Sequence, residues 1–137
     1  MLISQDLIRR KILYVRGADQ RPIELIQKLV LFGSQNCDFT ILEGILNADS
    51  HNCLFKKIAE IFNEDIFAYY FDLSFEETLR RHKTKPNCRE FGEIEMKHWW
   101  REKDYVSYFS EKNIYKEQSL DEIVDMIFND LSTEGCY

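Results

Sequence analysis

Three carboxylates stand just beyond short apolar segments: Asp6 after Met1–Ser4, Glu43 after Phe39–Leu42, and Asp72 after Ile66–Phe71. If those segments are parallel strands, the three acids share the carboxyl edge of a sheet, where α/β folds collect ligands. Asp6 also opens a D-x-x-R with Arg9. Arg80, Arg81, Lys83, Lys85 and Arg89 cluster their cations in a chain whose net charge is −6. Such a cluster can contact an anion, or it can be a solvated helix face on which Glu76 and Glu77 pair with Arg80 and Arg81. Arg81 and Lys85 are four apart and share a face if the helix continues through them. Each acid also has a structural alternative: Asp6 as a helix cap, Glu43 as a loop residue or cap, Asp72 as part of the turn before Ser74.

Other reactive residues carry less. Cys37, Cys53, Cys88 and Cys136 form no C-x-x-C and no zinc-finger spacing with histidine, so they read as reduced thiols in a cytoplasmic protein, with no metal site. His51, His82 and His98 have no partner at a useful spacing. Trp99 and Trp100 can stack on a base, although tryptophan on an amphipathic helix is more often core packing.

These residues are positioned by alternating strands and helices. Asp6 to Tyr14 carries Leu7, Ile8, Ile12 and Leu13 at helical spacing. Pro22 suits a first helical turn, with Ile23, Ile26, Leu29, Val30 and Gly33 marking the buried face. Asp38–Gly44 reads as a strand buried on both sides. The turn-rich run 47–50 caps a helix through Leu54, Ile58, Ile61 and Phe62. Ile66–Phe71 is a second buried strand. Ser74-Phe75-Glu76-Glu77 and Ser119-Leu120-Asp121-Glu122 are capping boxes. The first opens a helix ending before Pro86. The second opens one carrying Ile123, Val124, Ile127, Phe128 and Leu131. Between them, Phe91 to Lys103 reads as helix and Asn113–Lys116 as an edge strand. Helical crossovers between strands imply a parallel sheet with helices on both faces.

The 137 residues fit one domain, 1–137, with no linker or repeat. With 14% aromatics, five glycines and two prolines, the chain is neither disordered nor of low complexity. No apolar run reaches the ~18–20 residues of a membrane span, and the first residues lack a secretory pattern. With 18 Lys+Arg against 24 Asp+Glu, general nucleic-acid binding through phosphates is not expected.

Taken in order, Ser4–Arg10, Phe39–Leu46 and Tyr70–His82, with Phe91-Gly92-Glu93 and Trp99–Asp104, resemble the small P-loop kinases of the nucleoside triphosphate hydrolase superfamily. The likeness is to the group labelled uridine kinase-like or AAA-type ATPase, related to zeta toxins and polynucleotide kinases. The resemblance implies an ATP- and Mg²⁺-dependent phosphotransferase acting on a hydroxyl of a nucleoside or other small molecule. It implies that Asp6 orients or deprotonates the acceptor hydroxyl, and that Arg9 grips an anionic part of the substrate. Glu43 would contact substrate or a Mg²⁺-bound water. Residues 80–104 would form a lid whose Arg80, Arg81 and Lys85 cover the ATP phosphates.

The family's phosphate loop, G-x-x-x-x-G-K-[ST], has no counterpart here, since none of Gly17, Gly33, Gly44, Gly92 and Gly135 precedes Gly-Lys. The chain therefore resembles a three-layer P-loop kinase sandwich without its first strand, loop and helix. ATP binding by this chain alone is doubtful on that reading. In the family's strand order, 2-3-1-4-5, the absent strand is central. Its loss leaves unpaired backbone groups at roughly 1–3 kcal/mol each when buried, against a total margin of about 5–15 kcal/mol. Low stability or self-association across the missing strand is the expected consequence. The competing expectation is a non-catalytic remnant or complementing fragment that binds a partner chain.

Overall fold

The computed structural model describes residues 1–86 and 88–133 and divides into two compact units. The first comprises Met1–Ile66 with Val106–Phe109; the second comprises Phe67–Tyr105 with the chain from Ser110 onward. Together they make a mixed α/β chain with, among the described residues, six α-helices and two parallel two-stranded sheets.

In the first unit, β1 (Leu2–Ser4) runs parallel to β2 (Ile41–Glu43), with Leu2 opposite Ile41, Ile3 opposite Leu42 and Ser4 opposite Glu43. Strand alternation turns Ile3 and Leu42 toward the core and leaves Leu2 and Ile41 66% and 60% exposed. The segment at Phe39–Glu43 is therefore half-covered rather than buried on both sides.

The chain leaves β1 through α1 (Gln5–Leu7), which passes directly into a π-helix over Ile8–Ile12. Leu13 N–H closes on the Ile8 carbonyl at 2.9 Å, five residues back. The helix expected over Asp6–Tyr14 is thus shorter and wider-wound, and Tyr14 ends it at φ 52°. Next comes α2 (Arg21–Asn36), with Pro22 in the first turn and Asp19 accepting the Arg21 N–H at 2.9 Å. Ile23, Ile26 and Val30 on α2 meet Ile3, Ile8 and Leu54 in the core. A Cβ at Gly33 would collide with the Thr40 hydroxyl, so the small residue lets α2 approach the start of β2. The unit's last helix, α3 (Asn52–Phe62), contributes Leu54.

In the second unit, β3 (Ala68–Phe71) pairs in parallel with β4 (Glu111–Ile114), from Ala68 opposite Glu111 to Phe71 opposite Ile114. Both strands lie within or close to the expected segments, β4 starting two residues earlier than the sequence suggested. Helix α4 (Phe75–His82) starts where its capping box predicts, Ser74 Oγ accepting the Glu77 N–H at 3.3 Å. Of the helical stretch expected over Phe91–Lys103, only α5 (Glu93–Trp99) forms; Glu95 accepts the Gly92 N–H and Trp100 leaves the helix in an extended conformation. At α6 (Leu120–Thr133), Glu122 accepts the Ser119 N–H at 2.7 Å and Ser119 Oγ accepts the Glu122 N–H at 3.3 Å. Asp130 on α6 accepts from Tyr69 Oη and pairs with Lys112 Nζ, tying the helix to both strands. No described helix is long and apolar enough to cross a membrane.

Candidate functional site

Because Ser4 and Glu43 face each other in register, Glu43 and Asp6 fall at the same carboxyl end of the β1–β2 sheet. Both side chains are exposed. The cap of α1 is Ser4, whose Oγ accepts the Leu7 N–H at 3.4 Å; Asp6 does not take that job. Its carboxylate instead pairs with Arg10 Nε at 3.2 Å. Arg9, the other end of the D-x-x-R, donates from Nη2 to the Gly17 carbonyl and braces the loop that follows. The motif's two charged ends are therefore each engaged locally, and with different partners.

Beneath this edge lies a polar network that local sequence spacing did not reveal. Gln5 and His51 are buried, 7% and 6% exposed, and Gln5 Nε2 lies 3.0 Å from His51 Nε2. With the amide nitrogen donating, His51 Nε2 accepts and its proton sits on Nδ1, 3.1 Å from the Asn47 carbonyl and 3.0 Å from Ser50 Oγ. His51 thus has a partner 46 residues away in sequence. Gly44 closes over the same spot: at φ 152°, a Cβ there would stand 2.6 Å from Gln5 Cβ.

In the second unit, Arg80 and Arg81 both converge on Glu77. Arg80 donates from Nε and Nη2 at 2.7 Å each, and Arg81 from Nε at 2.7 Å. Arg80 first and Arg81 second hold the Glu77 carboxyl down to about 2. Arg81 also reaches the Lys116 carbonyl at 3.2 Å. This is the ion-paired helix face raised as the alternative for these cations. Lys85 does not share the Arg81 face, because α4 ends at His82 and Lys85 lies exposed in the turn beyond. His82, 5% exposed, stacks on Phe91 at 4.5 Å, with Nε2 3.2 Å from the Cys88 carbonyl and 3.0 Å from the Phe91 carbonyl. It staples the loop after α4, a role no spacing rule announces.

Asp72 continues the β3–β4 ladder, its N–H donating to the Ile114 carbonyl at 2.9 Å, and its residue borders a hollow of about 450 Å³ at the carboxyl end of β3. Tyr70, Phe75 and Trp100 give the hollow its aromatic lining. Glu76, Glu102, Lys97 and Lys103 add charge beside Asp72. Trp100 meets Phe75 edge-on at 5.9 Å, and Trp99 meets Phe91 at 5.1 Å, so both tryptophans pack and one also faces the hollow. Tyr70 Oη donates to the Arg101 carbonyl at 3.3 Å and accepts the Asp104 N–H at 3.2 Å; burial pushes its phenol up.

Among the described residues, no group of three or more His, Cys, Asp or Glu is placed to hold a metal ion. Cys37, Cys53 and Cys88 are free thiols, and Cys136 lies outside the described residues. Comparisons with protein-family models, curated proteins and solved structures find no match to this chain.

Proposed function

We propose that this chain is built on the plan of a P-loop kinase, an ATP-dependent phosphotransferase acting on a nucleoside or other small hydroxyl-bearing acceptor. The observation that carries the reading is the pairing of strands: β1 with β2 and β3 with β4, both parallel. These are the 2-3 and 4-5 neighbours that the resemblance calls for, and the central strand of that order is the one the sequence does not match. Asp6 and Glu43 at one carboxyl edge agree with an acceptor site on the first unit. On this reading Asp6 leaves Arg10 to orient or deprotonate the acceptor hydroxyl, which is within reach of an exposed carboxylate at a helix start. Glu43 would meet substrate or a Mg²⁺-bound water. Arg80 and Arg81 would act on phosphate only after leaving Glu77, and Lys85 lies exposed in the turn beyond α4.

The 137 residues contain no G-x-x-x-x-G-K-[ST], the loop by which such kinases cradle a triphosphate. ATP consumption by the purified chain is accordingly expected to be at background. Fusing a strand, phosphate loop and helix ahead of Met1 should confer Mg²⁺-dependent transfer to a nucleoside, lost again on Asp6→Ala. A folded fusion without transfer, or ATP turnover by the unfused chain that Asp6→Ala abolishes, would each refute the proposal. The second reading, a non-catalytic fragment that binds a partner chain, is favoured by the engagement of Arg9, Arg80 and Arg81 in local contacts.

A further inference from the structure

Two exposed patches, one in each unit, carry opposite charge. On α6, Leu120, Val124 and Phe128 recur every fourth residue along about 12 Å of helix, and all stay more than half exposed. The helical repeat sets Asp121 and Asp125 along one border of this stripe and the buried Ile123 beyond the other. Asp121 and Asp125 are exposed and enter no ion pair among the described residues.

The second patch is the winding that follows β1. Leu7 and Ile12 stand five residues apart, about one turn of a π-helix, and both are half exposed. Tyr14 projects beside them, exposed at φ 52°. Arg9 is held by the Gly17 carbonyl and Arg10 by Asp6. Lys11 and Arg16, by contrast, are exposed and enter no ion pair among the described residues. An apolar patch edged by unpaired cations thus complements an apolar stripe edged by unpaired anions.

We propose that a second copy of this chain docks here, the 7–16 segment of one molecule lying on the α6 face of the next, with Lys11 and Arg16 set against Asp121 and Asp125. Burial of the apolar side chains supplies the affinity, and the rim charges choose the partner. Because two different patches meet, each molecule keeps one of them open. Association therefore continues into rings or open chains instead of stopping at a two-fold dimer. This contact is distinct from pairing across a missing strand and does not rest on the phosphotransfer reading. Three apolar side chains from each partner make a contact well below the ~800 Å² per partner of a standard interface, so it is weak. An anionic membrane would suit the 7–16 patch, but the chain's net charge of −6 opposes it and α6 would stay bare.

Sedimentation velocity on the full chain, over a hundredfold concentration range, should show the mean coefficient rising toward the sub-millimolar end, and less so at high salt. Reversing one rim with Lys11→Glu and Arg16→Glu, or the other with Asp121→Lys and Asp125→Lys, should weaken association at least about fivefold. Circular dichroism checks each fold, and the first pair lies outside α6, so it reads the contact whatever the second does to that helix. In either variant both patches carry the same sign. An equimolar mixture of the two restores opposite signs at every contact and should recover the association, which loss of fold in either could not do. A chain that stays monomeric throughout overturns the proposal, and phosphatidylserine vesicles that then capture it through Lys11 and Arg16 would assign the 7–16 patch to a membrane instead. Association that neither reversal weakens, or a loss that mixing does not recover, overturns it equally.

Discussion

The Gln5–His51 pair makes a quantitative prediction, because both groups are buried and each supplies the other's hydrogen bond at 3.0 Å. Replacing His51 by Phe keeps a ring beside Phe55 but leaves the Gln5 amide without its acceptor. Replacing Gln5 by Leu strands His51 Nε2 in the same way. Each single change should cost about 1–3 kcal/mol, the penalty for a desolvated polar group left unpaired. The double variant removes both polar groups together, so it should cost at least about 1 kcal/mol less than the sum of the singles. Urea denaturation followed by far-ultraviolet circular dichroism is the appropriate assay, since both tryptophans lie in the second unit. With a slope of about 2 kcal/mol per molar urea, a 2 kcal/mol loss moves the midpoint by about 1 M. Singles that add within about 0.5 kcal/mol to the double would refute the assignment of these side chains as mutual partners.

Two further perturbations follow from the same geometry. Glu77 is held near 2 in the folded chain against an ordinary value of 4.5. Its depressed value means that its contribution is complete above about pH 4.5 and fades as pH falls toward 2. Glu77→Gln should lower stability at pH 7 and flatten the acid limb between pH 4.5 and 2, read as thermal midpoint against pH; an unchanged acid limb would contradict the pairing with Arg80 and Arg81. Gly44→Ala puts a Cβ 2.6 Å from Gln5 Cβ at a φ of 152° and should cost about 1–3 kcal/mol in denaturation, a cost that Gln5→Ala, which keeps its own Cβ, should leave in place; an unchanged midpoint would contradict the close approach.

How far the sequence could be read depends on the range of the interactions concerned. Ser74 and Ser119 announce helix starts because their caps are satisfied three residues on, and Pro22 because its fixed φ and missing N–H suit a first turn; α2, α4 and α6 begin at or beside them. Short apolar runs located the strands and their parallel pairing, though β2 covers only Ile41–Glu43. Spacing alone could not show that a π-helix would carry Arg9 and Arg10, or that Ser4 would cap α1 in place of Asp6. Spacing gives His51 no role because its partner is 46 positions distant. Spacing hides the hollow for a related reason. Lys97, Trp100 and Lys103 border the same hollow as Asp72, with the chain leaving α5 at Trp100 in an extended conformation, which helical periodicity over 91–103 does not foresee.

The surface left uncovered carries the last prediction. Parallel strands are ordinarily covered on both faces, since a parallel sheet with a bare apolar face exposes the surface whose burial should hold it together. Here Leu2 and Ile41, opposite one another on β1 and β2, are 66% and 60% exposed, and Phe71 at the end of β3 is 54% exposed. On α6, Leu120, Val124 and Phe128 repeat every fourth residue and stay at 74%, 53% and 58% exposure. Meanwhile the core of the first unit rests on six buried side chains around Ile26 and Leu54. Apolar surface of this kind contributes little to folding in the isolated chain and much to association. The monomer is therefore expected to melt below about 65 °C, the upper end for ordinary domains, and its midpoint should rise with protein concentration as copies cover one another. Light scattering alongside calorimetry over a hundredfold concentration range tests this. A single sharp transition above that temperature, independent of concentration and shown by a monomer, would mean that the exposed Leu, Ile and Phe side chains leave no deficit in the isolated chain.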